Sequence, residues 1–278
     1  MRLAACILLF KEQAFIEATV RSIYPVVDSI CIGTQYDRNI SDKEIVPDKS
    51  IEALLKIPDP ENKIRLVMQR NVSDLPGNDG QAKLRNAARQ LDPKADYYLI
   101  VDSDEVWSTE TLRKCWTEVQ KTKWAAYRIN CYNYYRKWNY RVVPKEGKGV
   151  RPLAFLRQGF PFKHDRQVDW HAPARLKEYF RKGRKPKTIY FPADCAIHHG
   201  SCVGDDARIL TKIMNWGHRD EVDPQWFEKV WKNFRPDMKD FHYYKDGADF
   251  YESLVTVPTA ELPEEVTRCK WPEDWIEK

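Results

Sequence analysis

Three carboxylates within four positions, Asp102, Asp104 and Glu105, follow directly on the apolar run Tyr97–Val101. Carboxylates at i and i+2 on an extended strand end point to the same side. Asp102 and Asp104 can therefore converge on one divalent cation, or on a cation and a ribose, and the ligand relieves their mutual repulsion. The competing reading is a helix cap with a solvated acidic cluster, and a bare Asp-x-Asp is frequent by chance. A second constellation lies in AIHHGSCVGDDARILTKIMNWGH, residues 196 to 218. A neutral imidazole from His198 or His199 would complete a metal shell or bond a phosphate oxygen.

Those residues need a frame. Residues 3 to 10 read as a strand, Ile16, Val20 and Ile23 recur at helical spacing, and SICIG at 29 to 33 reads as a second strand. Strand, helix and strand within about 35 residues is the signature of a parallel sheet. A polar stretch follows, with a short helix around Ile51 to Leu55, and IRLVM at 64 to 68 adds a third strand. Leu84, Ala87, Ala88 and Leu91 form one apolar helical face before the strand ADYYLIV. Ser108 suits an N-cap for a helix striped by Leu112, Cys115, Trp116 and Val119. The carboxylates thus occupy a turn between a buried strand and a helix. In open α/β sheets ligands bind outside the carboxyl ends of the strands, which is where this turn lies.

Further along, residues 124 to 143 alternate as strands dense in Tyr, Trp, Arg and Asn, a composition that suits stacking on a sugar ring, an anionic glycan or a base. Asp205 or Asp206 caps a helix with Ile209, Ile213 and Trp216 inside and Arg208, Lys212, Asn215 and Arg219 on the other face. Phe227, Val230, Trp231 and Phe234 share a face that is expected to pack onto the body of the domain.

Bulk properties bound the rest. The chain has 278 residues, 42% apolar and 31% charged, without the tracts that mark disorder. LAACILLF near the N-terminus is followed by KEQ and no small-residue cleavage site, so it reads as a buried strand rather than a signal segment. No apolar run reaches the roughly 18 residues of a membrane span. Seven cysteines without a C-x-x-C pair fit reduced thiols, and with the missing span predict a cytoplasmic location. The net charge of +5 concentrates at 134 to 151 and 179 to 187; such patches favour anionic partners, though for either alone a solvated face kept for solubility is the first reading.

The stretch CILLFKEQAFIEATVRSIYPVVDSICIGT, with the later AKLRNAARQLDPKADYYLIVDSDE, resembles the opening of the family 2 type, GT-A fold glycosyltransferases. Together the two cover about the first 110 residues. The resemblance implies an α/β fold with a mostly parallel central sheet flanked by helices, a mixed acceptor-side region and C-terminal helices. It implies one domain over 1–278, with a nucleotide-sugar half at 1–110, an acceptor-side half at 111–220 and a helical extension at 221–278. It further implies transfer of a sugar from a nucleoside-diphosphate sugar, a UDP-sugar being the first expectation, held through Mn²⁺ or Mg²⁺.

Carried over residue by residue, Asp104 would be the main metal ligand, Asp102 would reach the ribose or the metal, and His199 or His198 would complete the shell. Phe10, Lys11 and Glu12 would line the nucleotide pocket, Arg85 would support it, and Lys212 would neutralise the leaving diphosphate. Where the family has an Asp after the second strand, this chain has Gly33 and Thr34, with Asp37 displaced downstream. The acceptor region QVDWHAPARL, residues 167 to 176, lacks the family's Glu, leaving Asp169 as candidate base beside His171. Asp165, Glu178 and Asp194 are alternatives, each equally readable as a surface ion-pair partner. Two other readings stay open: a sugar transferase acting on modified bases in DNA, and a non-catalytic nucleic-acid or polyanion binder on a degenerate scaffold.

Overall fold

A computed structural model describes residues 1–35, 37–38, 45–46, 49–69, 79–170, 173, 187–215, 219–239, 241–245, 250–272 and 274–277. The strands are β1 Leu3–Leu9, β2 Ser29–Gln35, β3 Asp37–Arg38, β4 Ile45–Val46, β5 Ile64–Gln69, β6 Tyr97–Asp102, β7 Glu105–Val106 and β8 Ala126–Arg128. They continue as β9 Asn130–Pro144, β10 Leu153–Arg157, β11 Phe162–His164, β12 Gln167–Val168, β13 Thr188–Tyr190, β14 Ala196–Val203 and β15 Tyr251–Thr256. The α-helices are α1 Ile16–Ile23, α2 Lys49–Leu55, α3 Asp79–Arg89, α4 Thr109–Thr122, α5 Asp206–Asn215 and α6 Glu264–Thr267.

The expected mixed α/β class with a mostly parallel central sheet is what the chain forms. Seven strands run in the order β13-β8-β10-β6-β1-β2-β5. The pairs β1–β2, β1–β6, β2–β5 and β13–β8 are parallel, and β10 is antiparallel to both its neighbours. β1 is buried along nearly its whole length, which is why it reads as a continuous apolar run rather than an alternating one.

Alternation then sorts its side chains between two cores. Leu3, Ala5, Ile7 and Leu9 pack with α1 and α4 through Ile16, Val20, Leu112 and Val119. Ala4 and Cys6 face the opposite side, with Ala82 and Ala88 of α3. Gly33 lets α3 come close: a Cβ there would lie 2.7 Å from the carbonyl oxygen of Leu84. The Asp that the family resemblance expected near this strand end is thus absent where bulk has no room.

Ser108 does cap α4, its hydroxyl accepting from the Thr111 N–H at 3.4 Å. Asp205 caps α5, accepting from Arg208 N–H at 2.8 Å. Phe227 and Trp231 are buried with Trp226 and Phe241, and Val230 and Phe234 pack against them, as their shared face predicted. Among the described residues no helix is long and apolar enough to cross a membrane.

A second sheet, β15-β9-β14-β7, grips the turn after β6. β7 pairs with β14, placing Glu105 opposite His199 and Val106 opposite His198. Gly200 N–H donates to the Asp104 carbonyl at 2.9 Å. A Cβ on Gly200 would stand 2.3 Å from Phe15 Cε1 and 3.0 Å from Trp138. Gly200→Ala is therefore expected to overpack this junction and destabilise the fold by about 1–3 kcal/mol. A urea titration reads it as a lower midpoint at unchanged slope, and an unmoved midpoint would show that Phe15 and Trp138 yield without cost.

Candidate active site

Because β1, β2 and β6 are parallel, their carboxyl ends share one edge of the sheet. β2 and β5 lie on one side of β1 and β6 on the other, so strand order reverses between β1 and β6. A crevice outside that edge is where such sheets place a ligand. The chain leaves β1 through Phe10, Lys11 and Glu12, and leaves β6 through Asp102, Ser103 and Asp104. Lys11 has φ +52°, a left-handed backbone uncommon for a non-glycine residue. Its ammonium donates to Asn215 Oδ1 at 3.1 Å.

Three other elements bring positive charge to this edge. α3 contributes Arg85, the β11–β12 hairpin contributes Arg166, and α5 contributes Arg208 and Lys212. At the hairpin turn Asp165 takes φ +38°, which lets the backbone turn tightly just before Arg166.

Asp104 is buried, at 3% exposure. Its Oδ2 accepts from the Lys212 ammonium and lies 3.7 Å from Arg208. Its Oδ1 lies 3.3 Å from His199 Nε2. Burial pushes this carboxyl up, but Lys212 and His199 outweigh burial and hold it well below the ordinary carboxylate range. Glu12 shares the same cations, accepting from Arg208 at 2.9 Å and Lys212 at 3.1 Å. The Arg208 guanidinium in turn lies 4.2 Å from the centre of the Phe15 ring.

Asp102 keeps 35% of its side chain exposed. Oδ1 accepts from Arg85 at 2.6 Å and Oδ2 faces Arg166 at 3.1 Å. Burial raises its pKa, but Arg166 and then Arg85 prevail and bring it to about 2. Glu105 accepts from the same Arg166 at 2.8 Å through both oxygens, and from the Asp102 N–H at 3.0 Å. Arg85 is fully buried and also reaches Asp165 at 3.4 Å. Five carboxylates thus meet five basic side chains in two neighbouring sets: Asp102, Glu105 and Asp165 with Arg85 and Arg166, and Glu12 and Asp104 with Arg208, Lys212 and His199.

The histidine pair divides. Neighbouring residues of a strand face opposite ways. His199 turns toward Asp104, whereas His198 stacks on Tyr134 and puts Nδ1 2.7 Å from its hydroxyl. Burial drives the His198 pKa down to about 3, so that ring is neutral, and it does not meet the carboxylates. The His199 ring places Nδ1 3.0 Å from Asn133 Oδ1 and Nε2 against Asp104. Each ring nitrogen thus faces an acceptor, and the His199 pKa, lowered by burial but raised further by Asp104, ends well above the ordinary value.

This arrangement does not fit a divalent ion. All four oxygens of Asp102 and Asp104 face a basic side chain, and both His199 nitrogens already face acceptors. An ion beside Asp104 would lie about 4 Å from the Lys212 ammonium, where a double charge meets a repulsion of about 8 kcal/mol at an effective dielectric of 20. Among the described residues no group of three His, Cys, Asp or Glu side chains is arranged to hold a metal. The expected Mn²⁺ or Mg²⁺ shell of Asp102, Asp104, His199 and His198 is therefore not what these side chains form.

Of the other expected residues, Glu12, Arg85 and Lys212 meet at the site. Phe10 and Lys11 border it. Asp169 follows β12, half-buried, its N–H donating to the Pro161 carbonyl at 2.8 Å. Asp194 pairs with Lys114 at 2.6 Å on the surface. The Asp37 backbone pairs with Val46. His171 and Glu178 lie outside the described residues, as does the Asp37 side chain. Sequence reasoning missed Arg166 and named Glu105 and Arg208 without giving them a role at the site. The only local cue for Arg166 is the Asp165-Arg166 turn between two short strands.

No family model matches the chain, and no curated protein does. Among solved structures, S. aureus TarS 1-349 in complex with UDP is similar at 17% identity over 48% of this chain, with a TM-score of 0.34. That match spans 36% of the TarS chain, about a third of its length. S. aureus TarS 1-349 aligns over 84% of this chain and 74% of its own, at 14% identity and a TM-score of 0.42. Mannose-1-phosphate geranyltransferase from Thermus thermophilus aligns over 66% and 54%, at 15% identity and a TM-score of 0.30. These likenesses are distant, and the fold stands on its own strand order.

Proposed function

We propose that this chain is a glycosyltransferase that holds a nucleoside-diphosphate sugar at the carboxyl edge of β1 and β6 and passes the sugar to an acceptor hydroxyl. The observation that carries the reading is a half-open carboxylate, Asp102, set between the buried Arg85 and the partly exposed Arg166 where strand order reverses. The resemblance of residues 6 to 34 and 82 to 105 to the GT-A glycosyltransferases supports it. Asp102 would accept from a ribose hydroxyl. Phe10, Lys11 and Glu12 would border the nucleotide, and the α5 and β11–β12 cations would face the diphosphate.

In the transfer, the acceptor oxygen bonds the anomeric carbon as the bond from that carbon to the diphosphate oxygen breaks. The electron pair leaves on the diphosphate, and the acceptor proton passes to a carboxylate base, for which Asp169 is the candidate. Positive groups fixed beforehand at the leaving oxygen lower the barrier because charge accumulates there in the transition state. A UDP-sugar is the expected donor.

The test is thermal unfolding in UDP, GDP, ADP, CDP and dTDP, each with Mn²⁺ and with chelator, followed by release of the matching diphosphate from its sugar. Ligand at 100 times its Kd adds about 2.7 kcal/mol, or roughly 5–10 °C for a chain of this size. One nucleotide is expected to produce that shift in at least one of the two conditions. No shift in either would remove the transferase reading and direct attention to polyanion binding.

A further inference from the structure

We propose that the donor's diphosphate is held directly by Lys212 and Arg166, backed by the buried Arg85, with no divalent ion between phosphate and protein. This rests on the transferase reading and concerns the same site. Its first ground is the saturation of the acidic pair: Asp104 accepts from Lys212 and His199, and Asp102 from Arg85 and Arg166. An ion could enter only by displacing Lys212 and Arg166, which are cross-linked to Glu12 and Glu105.

The second ground is unspent donor capacity. Arg85 gives one terminal nitrogen to Asp102 and Asp165. Its Nε and Nη1 are buried, with no acceptor among the described residues. Arg166 likewise spends Nη2 on Asp102 and Glu105 while its buried Nε has none. Buried donors without acceptors are costly, and guanidinium groups suit the multiple oxygens of a phosphate.

The third ground is access. Lys212 keeps 17% and Arg166 12% of the side chain exposed, next to the open face of Asp102. An ammonium is a compact point charge with three donors on a flexible stem, able to add a phosphate oxygen while still donating to Asp104 and Glu12. The acidic turn, on this account, orients cations rather than binding a metal.

The experiment measures affinity for UDP, GDP, ADP, CDP and dTDP by calorimetry in chelator and in Mn²⁺, on wild type, Lys212→Met and Lys212→Arg. The expected result is one diphosphate bound in chelator as tightly as in Mn²⁺. Lys212→Met should weaken it about 10–100-fold, the loss of one charge-assisted hydrogen bond, and Lys212→Arg should restore part of it. Arg166→Gln, measured alongside, should weaken binding in chelator too, and covers the case in which Lys212→Met does not fold. Binding that appears only with Mn²⁺ would overturn the direct clamp and leave the transferase reading standing. Absence of binding in both conditions would overturn the reading, and the clamp with it.

Discussion

Asp104→Asn is expected to cost about 3–5 kcal/mol of stability, the usual consequence of removing one partner from a buried ion-paired group. The side chain keeps its shape, but Lys212 and Arg208 are left to share Glu12 alone, His199 loses its carboxylate partner, and like charges then face one another with less to balance them. A fall of roughly 6–15 °C in melting temperature should accompany it. The pH profile separates this from simple misfit. In the wild type the His199 pKa is raised when folded, so its contribution is fully present below about 6.5 and is lost as pH rises through the raised value. Asp104 is depressed when folded, so its contribution is present above about 3.9 and is lost as pH falls toward the lowered value.

Without the Asp104 charge the largest influence holding the His199 proton is gone, and burial shifts the ring toward its neutral form. The variant should therefore lose the wild type's decline in melting temperature on the alkaline side. Melting curves from about pH 4 to 10 check both arms. A variant with the wild-type alkaline slope would show that Asp104 does not hold the His199 proton.

Arg85→Met carries the second large effect. Arg85 is fully buried, and its guanidinium is the shared partner of Asp102 and Asp165. Met fills much of the volume, so the cost lies in two carboxylates losing their common cation rather than in a cavity. Asp102 keeps Arg166, and both acids retain some solvent contact. A stability loss of about 2–3 kcal/mol is therefore expected, below the upper range for a fully sealed pair. Diphosphate affinity should fall about 10–100-fold if Arg85 donates to it. Denaturant melts read the first quantity and calorimetry the second. Arg85→Met with full diphosphate affinity would remove Arg85 from the ligand side and leave it a support for Asp102.

The frame of the site was legible in the chain. β1, β2 and β6 are apolar runs of strand length, and the stripes of α1, α3 and α4 recur at helical spacing. Their burial is dictated by nearest neighbours in sequence, so periodicity carries it. The acidic turn could be placed at a strand end for the same reason. Lys212 and Glu12 were also candidates, because a cation on the polar face of a helix and a charge just past a buried strand are visible locally.

What the acidic turn touches was decided in three dimensions. Asp104 and Lys212 lie 108 positions apart, and Glu12 and Arg208 lie 196 apart. Nothing in local spacing announces such pairings. Arg166 comes from a hairpin of two short strands, too short to have a period. His198 and His199 look interchangeable as letters, yet strand alternation sends one to Tyr134 and the other to Asp104. The sequence by itself determined the sheet and where its acidic edge must be, because both follow from local hydrophobic pattern. Only tertiary structure determined that protein cations neutralise that edge, because charge pairing depends on distance and burial between residues far apart in the chain.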